Sequence, residues 1–168
     1  MSERTNYYSC SSDRNYHWLY YRTLNSTEMN ILILQGPNLN LLGLLSSKTN
    51  RTLTLDKLNK SVRFHCRSKN VNLKIFQTHK EFQAVNFIQR NRIWADKLLL
   101  IPTTWAINNF TLLETIKIIN IKTAVAIFEE PYSFNINENL SIFKGPEMKT
   151  FLGSPTKTCL QSIDYFLK

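Results

Sequence analysis

The sequence predicts an α/β domain in which helices cover both faces of a parallel sheet of four or five strands. Short, continuous apolar runs alternate with longer segments of helical apolar spacing, and such repeated βα units are typical of parallel sheets. The runs contain few polar residues, as expected of strands that are buried on both faces. The chain has 168 residues, of which 43% are hydrophobic, and this is enough for one domain with its own core.

The strands are predicted from the apolar runs, in chain order. The first run is followed by Gly-Pro-Asn, which indicates that a buried strand ends there in a loop. The predicted strands are residues 31–34, 72–77, 97–101 and 123–128, with residues 140–143 as a shorter fifth strand. Ligands of such sheets bind beyond the carboxyl ends of the strands. We therefore expect any site in the loops at residues 35–44, 78–80, 102–109 and 129–132.

Four helices are predicted from apolar residues at helical spacing, at residues 55–67, 82–93, 112–119 and 158–167. The first of them is amphipathic, because cations occupy the positions between its apolar residues. The side chains that these helices are expected to bury are Leu55, Leu58, Val62, Phe64, Phe82, Val85, Phe87, Ile88, Leu160, Ile163 and Phe166.

The net charge of +9 is concentrated in one segment of the chain. Residues 44–97 contain twelve basic and three acidic residues, whereas the two kinds balance in the rest of the chain. Such a segment attracts phosphate-rich partners or anionic membrane, and the alternative is a solvated helix surface. No RNA-recognition signature is present, so contact with RNA would not depend on base sequence. The candidate phosphate contacts are Lys48, Arg51, Lys57, Lys60, Arg63, Arg67, Lys69, Lys74, Arg90 and Arg92.

Residues 1–28 differ in composition from the predicted domain at residues 29–168. They are polar and rich in Tyr and Trp, lack the apolar region of a secretory signal, and contain acidic residues that are rare in transit peptides. Two interpretations stay open. The aromatic side chains dock on other protein subunits, or they pack on their own domain.

The sequence predicts neither a metal site nor a cofactor. Cys10, Cys66 and Cys159 are widely separated and have no zinc-ligand spacing, which favours free thiols in a reducing compartment. No apolar run approaches the roughly 18 to 20 residues that a transmembrane helix needs, so no membrane span is predicted.

Residues 31–43 (Ile-Leu-Ile-Leu-Gln-Gly-Pro-Asn-Leu-Asn-Leu-Leu-Gly) closely resemble the opening strand and loop of type II 3-dehydroquinate dehydratases. The agreement continues at residues 54–56, residues 77–78 and Pro102, and the resemblance covers about residues 29–168. It implies a flavodoxin-like three-layer sandwich and the family's usual trimers and dodecamers. It also implies a reaction that removes water from 3-dehydroquinate, with a Tyr base activated by an Arg, a His acid, and polar groups that bind the carboxylate and the enolate.

The sequence departs from the family pattern where that chemistry is performed. Counting from Gly43, the Arg position holds Leu45 and the Tyr position holds Asn50. In the third loop, Ile101 occupies the position of the substrate-binding Asn and Ile107 that of the acid His. An amide or an aliphatic side chain cannot exchange a proton at neutral pH, so these replacements predict the loss of the base and the acid together.

The remaining site positions are changed as well. The Glu-x-His-x-Ser pattern after the fourth strand falls on Val125, Ile127 and Glu129, which puts an anion where donors would meet the substrate carboxylate. Asn38 is retained, and His79 lies near the family's Asn-His pair, where it predicts either an anion contact or an ordinary surface residue. These positions predict a vestigial pocket, and the alternative is a pocket adapted to another small molecule.

We therefore expect a non-catalytic protein that serves as a structural subunit of a large assembly. The 18 Asn and only 4 Gly residues favour an AT-rich genome, either that of an organelle or the nuclear genome of an AT-rich organism. A mitochondrial ribosome, with the basic segment on rRNA, fits this composition and charge best. The alternatives are a subunit of a respiratory or ATP-synthase complex, a small-molecule binding module, and a residual 3-dehydroquinate dehydratase.

Overall fold

The computed structural model describes residues 28–47, 52–136 and 138–168. The strands are β1 (Met29–Gln35), β2 (Val71–Gln77), β3 (Lys97–Ile101), β4 (Lys122–Phe128) and β5 (Met148–Gly153). They form one all-parallel sheet in the order β2-β1-β3-β4-β5. This order is that of flavodoxin-like folds, so the predicted fold class is confirmed. The predicted aromatic extension lies outside the described residues, apart from Glu28.

The helices are α1 (Leu42–Ser46), α2 (Leu55–Cys66), α3 (Glu81–Asn91), α4 (Trp105–Asn108), α5 (Phe110–Ile119) and α6 (Pro155–Phe166), with single 3₁₀ turns at Leu39–Leu41 and Glu138–Leu140. Side-chain caps fix where two of them start. The Thr54 hydroxyl accepts the Lys57 N–H at α2, and the Asn109 amide oxygen accepts the Leu112 N–H at α5. None of these helices is long and apolar enough to span a bilayer.

The sheet separates two apolar clusters, because successive strand residues point to opposite faces. On one face, which we call the α2–α6 face, Leu58 of α2 and Ile163 of α6 pack on Ile31 of β1 and its neighbours. On the other, the α3–α5 face, Ile88 of α3 and Leu112 of α5 pack on the alternate strand residues. Strands β1, β3 and β4 are buried on both faces, which explains their continuous apolar sequences.

The predicted fifth strand at residues 140–143 is wrong, because β5 lies at Met148–Gly153. This strand pairs with β4 from Thr123↔Met148 to Phe128↔Gly153 and forms an edge of the sheet, where polar side chains remain exposed. Residues 141–143 belong instead to the connector between β4 and β5. Phe143 is completely buried there, so its apolar character reflects an anchor of the connector in the core.

Two phenylalanines that were predicted to be buried in helices are exposed. Phe64 is 77% and Phe82 is 61% exposed. Phe64 follows the buried Val62 by two positions, and Phe82 precedes the buried Ala84 by two positions. Two residues correspond to about 200° of helical rotation, so each phenylalanine points away from the core. Helix α6 also starts at Pro155 instead of residue 158, since proline is well suited to the first helical turn.

Candidate functional site

The loops that follow β1 and β3 cross in close contact at the carboxyl end of the sheet. The Gly36 N–H donates to the Ile101 carbonyl at 2.8 Å. A Cβ at Gly36 would lie 2.3 Å from the Pro102 carbonyl oxygen, so a larger residue could not be placed there without moving backbone. Gly36 of the Gly-Pro-Asn sequence is therefore required by the packing of two loops, independently of any chemistry.

Thr103 occupies a backbone conformation that is unfavourable for a β-branched residue. Its φ of 48° is in the left-handed region, which favours glycine. The buried Thr103 hydroxyl lies 2.7 Å from the carbonyl oxygens of both Pro37 and Pro102, and donation to these acceptors offsets part of the strain. By the family resemblance, Thr103 falls on the glycine of the Asn-Pro-Gly loop, and glycine adopts a φ in this region without strain.

Asn38 and His79 are the two vestigial-pocket residues that the structure brings together. Asn38 has a φ of 64°, and its backbone N–H donates to Nδ1 of His79 at 3.3 Å. Both residues are exposed, and the contact joins the loop after β1 to the loop after β2. This arrangement supports a structural role for the pair, because the acceptor nitrogen of His79 is already occupied by a backbone donor.

The residues at the family's acid and substrate-binding positions differ in how far they are exposed to solvent. Ile101 and Ile127 are 1% and 3% exposed and pack into opposite faces of the sheet. Ile107, on α4, is 45% exposed, and Glu129 is exposed directly after β4. Leu45 is half-buried in α1, whereas Asn50 lies outside the described residues.

Among the described residues, little space remains in the crevice beyond β3 and β4. A cavity of about 10 Å³ remains there, which is room for about one water molecule. Ligand pockets usually measure roughly 300 to 1,000 Å³. The side chains that close the crevice come from the strand ends and from the β4–β5 connector, and they include Ile101, Thr103, Ile127, Phe128, Phe134 and Ile136.

Phe134 and Ile136 were not singled out in the sequence, although they cover the strand ends. Ile136 is 6% exposed and packs into the cluster on the α3–α5 face, while Phe134 packs against the cluster on the α2–α6 face. The sequence signal for their burial was their apolar character, since both lie within the polar run that follows β4. The connector thus places one anchor on each side of the sheet and closes the crevice between them.

Gln35 is a further polar residue that the sequence analysis missed. It ends β1, is 1% exposed, and donates from Nε2 to Oδ1 of Asn59 on α2 at 2.7 Å. Its Oε1 has no hydrogen-bond partner among the described residues. An amide directly after the apolar run at residues 31–34 was the signal, and the bond to Asn59 shows that the side chain ties the strand end to a helix.

The candidate phosphate contacts do not form one surface. Lys57, Lys60 and Arg63 are exposed on α2, whereas Arg90 and Arg92 lie at the end of α3, on the other side of the sheet. Arg67 is exposed just after α2, and Lys48 and Arg51 lie outside the described residues.

Two further candidates have partners within the protein. The Lys74 ammonium lies 4.0 Å from the centre of the Trp94 ring and donates to Oδ1 of Asn91. Lys69 donates to Oδ1 of Asp164 at 2.6 Å. The basic segment is therefore divided between the two faces of the sheet and the edge strand β2.

Neither a metal site nor a reactive thiol is evident in the described ranges. No group of three or more His, Cys, Asp and Glu side chains is placed there to hold a metal ion. Burial raises the pKa of the Cys159 thiol to about 12, and burial also raises that of Cys66, so both are protonated at neutral pH.

Residues 29–128 match the family described as Dehydroquinase class II. The chain belongs to the class II dehydroquinase family. A 3-dehydroquinate dehydratase of Clostridium botulinum is 26% identical over 92 residues, which are 55% of this chain and 63% of that protein. The 3-dehydroquinate dehydratase of Proteus mirabilis is 33% identical over 96 residues, 57% of this chain and 65% of the relative. The chain thus matches just under two thirds of the length of these two enzymes.

The crystal structure of type II dehydroquinase from Butyrivibrio crossotus superposes with a TM-score of 0.74 at 21% identity. The superposition covers 85% of this chain and 100% of that one. This likeness confirms the dehydroquinase fold for the domain, including part of the region after residue 128, where the family match ends. The relatives named here are enzymes, and the family resemblance predicted from residues 31–43 is confirmed.

Proposed function

We propose that this dehydroquinase family member is non-catalytic and acts through its surface. The observation that carries the proposal is the filled crevice at the carboxyl ends of β3 and β4, with about 10 Å³ of remaining space. A six-membered ring with several hydroxyl groups does not fit into that cavity unless Phe134 and Ile136 move away. The same geometry counts against a small-molecule binding module at this position.

The side chains around the crevice support the same conclusion. Dehydration through an enolate requires a base and an acid that flank the substrate. Ile101, Ile107 and Ile127 supply neither, and Nδ1 of His79 is engaged by the Asn38 N–H. Within the described residues, the β4–β5 connector contains one tyrosine, Tyr132, and its side chain packs against the cluster on the α2–α6 face.

The test is a dehydratase assay on the purified protein. Formation of the conjugated product from 3-dehydroquinate is followed by ultraviolet absorbance, with the Proteus mirabilis enzyme as positive control. The proposal predicts a rate equal to that of buffer alone. A rate above buffer would overturn it, and loss of that rate in Tyr132→Phe would identify a rebuilt site.

For the role of the surface, we propose a structural subunit of a large assembly. Support comes from an exposed apolar surface on α5, since such patches mark protein contacts. Phe110 and Ile118, which line the same open surface, are 63% and 76% exposed. A mitochondrial ribosome, or a respiratory or ATP-synthase complex, is the assembly that the composition and charge favour. Sedimentation of the native protein tests this role, because a free and small species would contradict it.

A further inference from the structure

An open groove of about 850 Å³ lies at the amino end of the sheet, opposite the filled crevice. Its walls come from the end of α6, the start of β5 and the turn after α2. We call it the lysine–aromatic groove and define it by Lys69, Lys149, Phe151, Asp164 and Tyr165, together with Lys122 beside Tyr165. None of these residues belongs to the family's site, which lies at the other end of the strands.

Strand register brings the two central lysines of the groove together. Lys122 begins β4, and Lys149 pairs with Ala124, two residues further along the same strand. Ala124 packs into the cluster on the α2–α6 face, so Lys122 and Lys149 point to that face as well. Helix α6 ends over this part of the sheet and places Tyr165 beside both of them.

Two lysines of the groove, Lys122 and Lys149, lie against aromatic rings without a counter-ion among the described residues. The Lys122 and Lys149 ammonium groups are 4.5 Å and 5.0 Å from the centre of the Tyr165 ring. The Phe151 ring is 5.5 Å from that of Tyr165, at an interplanar angle of 55°. Among the residues described, no carboxylate comes within 4 Å of Lys122 or Lys149. The groove therefore offers uncompensated positive charge next to partly exposed rings.

Asp164 is the acidic side chain of the groove, and it is neutralised in place. Its Oδ1 accepts hydrogen bonds from Nζ of Lys69 at 2.6 Å and from Nε2 of His65 at 2.8 Å. Burial acts to raise the pKa of the Asp164 carboxyl, but the hydrogen bonds from Lys69 and His65, together with the charges of these residues, lower the pKa below its ordinary value. Asp164 thus fixes the position of Lys69 without presenting an unpaired negative charge.

We propose that the lysine–aromatic groove binds a segment of single-stranded nucleic acid. Proteins bind single strands by combining cations that follow the phosphates with aromatic rings on which bases stack, and the groove places both within a few ångströms. Its concave shape and tilted rings fit a chain better than a flat lipid surface. The inference deepens the proposed structural role by naming a partner chemistry, and it is independent of the proposed loss of catalysis.

The test measures the binding of fluorescent uridine and thymidine decamers to the full chain by fluorescence anisotropy. The double variant Lys122→Gln/Lys149→Gln should weaken binding of the preferred decamer by roughly tenfold in dilute salt and reduce the salt-dependence slope by about 1.4. The matched control is Lys117→Gln/Lys157→Gln, which removes the same charge from exposed positions outside the groove and should change affinity by less than about threefold. Tyr165→Leu should weaken binding by about fivefold or more, through loss of base stacking.

Circular dichroism and thermal melts check that each variant is folded. If Tyr165→Leu unfolds, Lys149→Gln alone carries the test, since Lys149 is exposed. Preference for the uridine decamer would assign the groove to RNA, and preference for thymidine would assign it to DNA. Equal losses in the two double-lysine variants would overturn the proposal, as would the absence of binding. Groove-dependent binding to phosphatidylserine vesicles without binding to either decamer would also overturn it. None of these outcomes affects the dehydratase assay, so the two proposals fail separately.

Discussion

The two ends of the sheet differ in what their side chains leave available to a partner. At the carboxyl end, apolar side chains from the connector fill the crevice, and the remaining polar groups largely bond to one another. At the amino end, an open groove presents Lys122 and Lys149 beside aromatic rings, and no carboxylate of the described residues lies within 4 Å of either lysine. In parallel α/β sheets the carboxyl end is the usual place for ligands. This chain has the same fold, but its accessible lysines and aromatic rings lie at the amino end. The position of a site therefore has to be inferred from the side chains and not from the fold alone.

The largest effect is expected where the carboxyl end depends on backbone packing. Gly36→Ala would place a methyl group 2.3 Å from the Pro102 carbonyl oxygen. We expect a loss of about 3 kcal/mol or more in the free energy of unfolding, because two loops must separate. The matched control is Gly145→Ala, where nothing lies within 4 Å of the added carbon. Chemical denaturation measures both, and equal stabilities would mean that the loops do not cross as described.

A smaller loss is expected when the closure of the crevice is weakened. Ile136→Ala removes a buried anchor of the connector and should cost about 2 to 4 kcal/mol in the free energy of unfolding. Leu140→Ala, in the same connector but 50% exposed, should cost less than about 1 kcal/mol. If Ile136→Ala proved as mild as its control, the crevice would be open in solution and the contrast between the two ends would weaken.

Removal of the Thr103 hydroxyl is expected to lower the free energy of unfolding by less than Ile136→Ala does. Thr103→Val keeps the side-chain shape and the left-handed backbone but removes the donor to Pro37 and Pro102. The expected loss is about 1 to 2 kcal/mol in the free energy of unfolding. Thr103→Gly should be close to neutral, because relief of strain at a φ of 48° offsets the lost hydrogen bond. A destabilised glycine variant would show that the backbone is not strained there.

At the amino end, the smallest effect is expected from Asp164. Its side chain is 46% exposed, so Asp164→Asn should cost less than about 1 kcal/mol at neutral pH. The pKa of the carboxyl is lower in the folded protein than its ordinary value of 3.8. The stabilisation is therefore fully present above that value and is lost as the pH falls through the folded-state pKa. Thermal melts of both proteins between about pH 7 and pH 2 should converge at the acidic end. A difference that grows on acidification would contradict the pairing with Lys69 and His65.

The strands were predictable where burial on both faces left an uninterrupted apolar sequence, as in β1, β3 and β4. Strand β5 was missed because its sequence, Met-Lys-Thr-Phe-Leu-Gly, has only two consecutive apolar residues, whereas the connector contains the fully buried Phe143. The basic residues of the segment are divided between the two faces of the sheet for a topological reason. The chain passes through edge strand β2 between α2 and α3, and the two helices then pack on opposite faces.

The carboxyl-end positions were located from the family resemblance, but their packing was not. Which side chains fill the crevice depends on the connector, where the resemblance is weak. The lysine–aromatic groove was missed because its members, such as Lys69, Lys122 and Tyr165, are distant in sequence. In addition, residues 98–168 contain equal numbers of basic and acidic residues, so the sequence gives no sign of the positive charge that the fold collects at Lys122 and Lys149.

The close contact between Gly36 and Pro102 has a consequence for recognising relatives of this chain. Selection for a folded domain alone would preserve that glycine, since any Cβ there collides with backbone. Part of the motif by which the family is recognised is thus a signature of loop packing, and it would persist in descendants long after turnover had ceased. Transfer of an enzyme name on such a motif should therefore depend on the proton-transferring positions, which are free to drift.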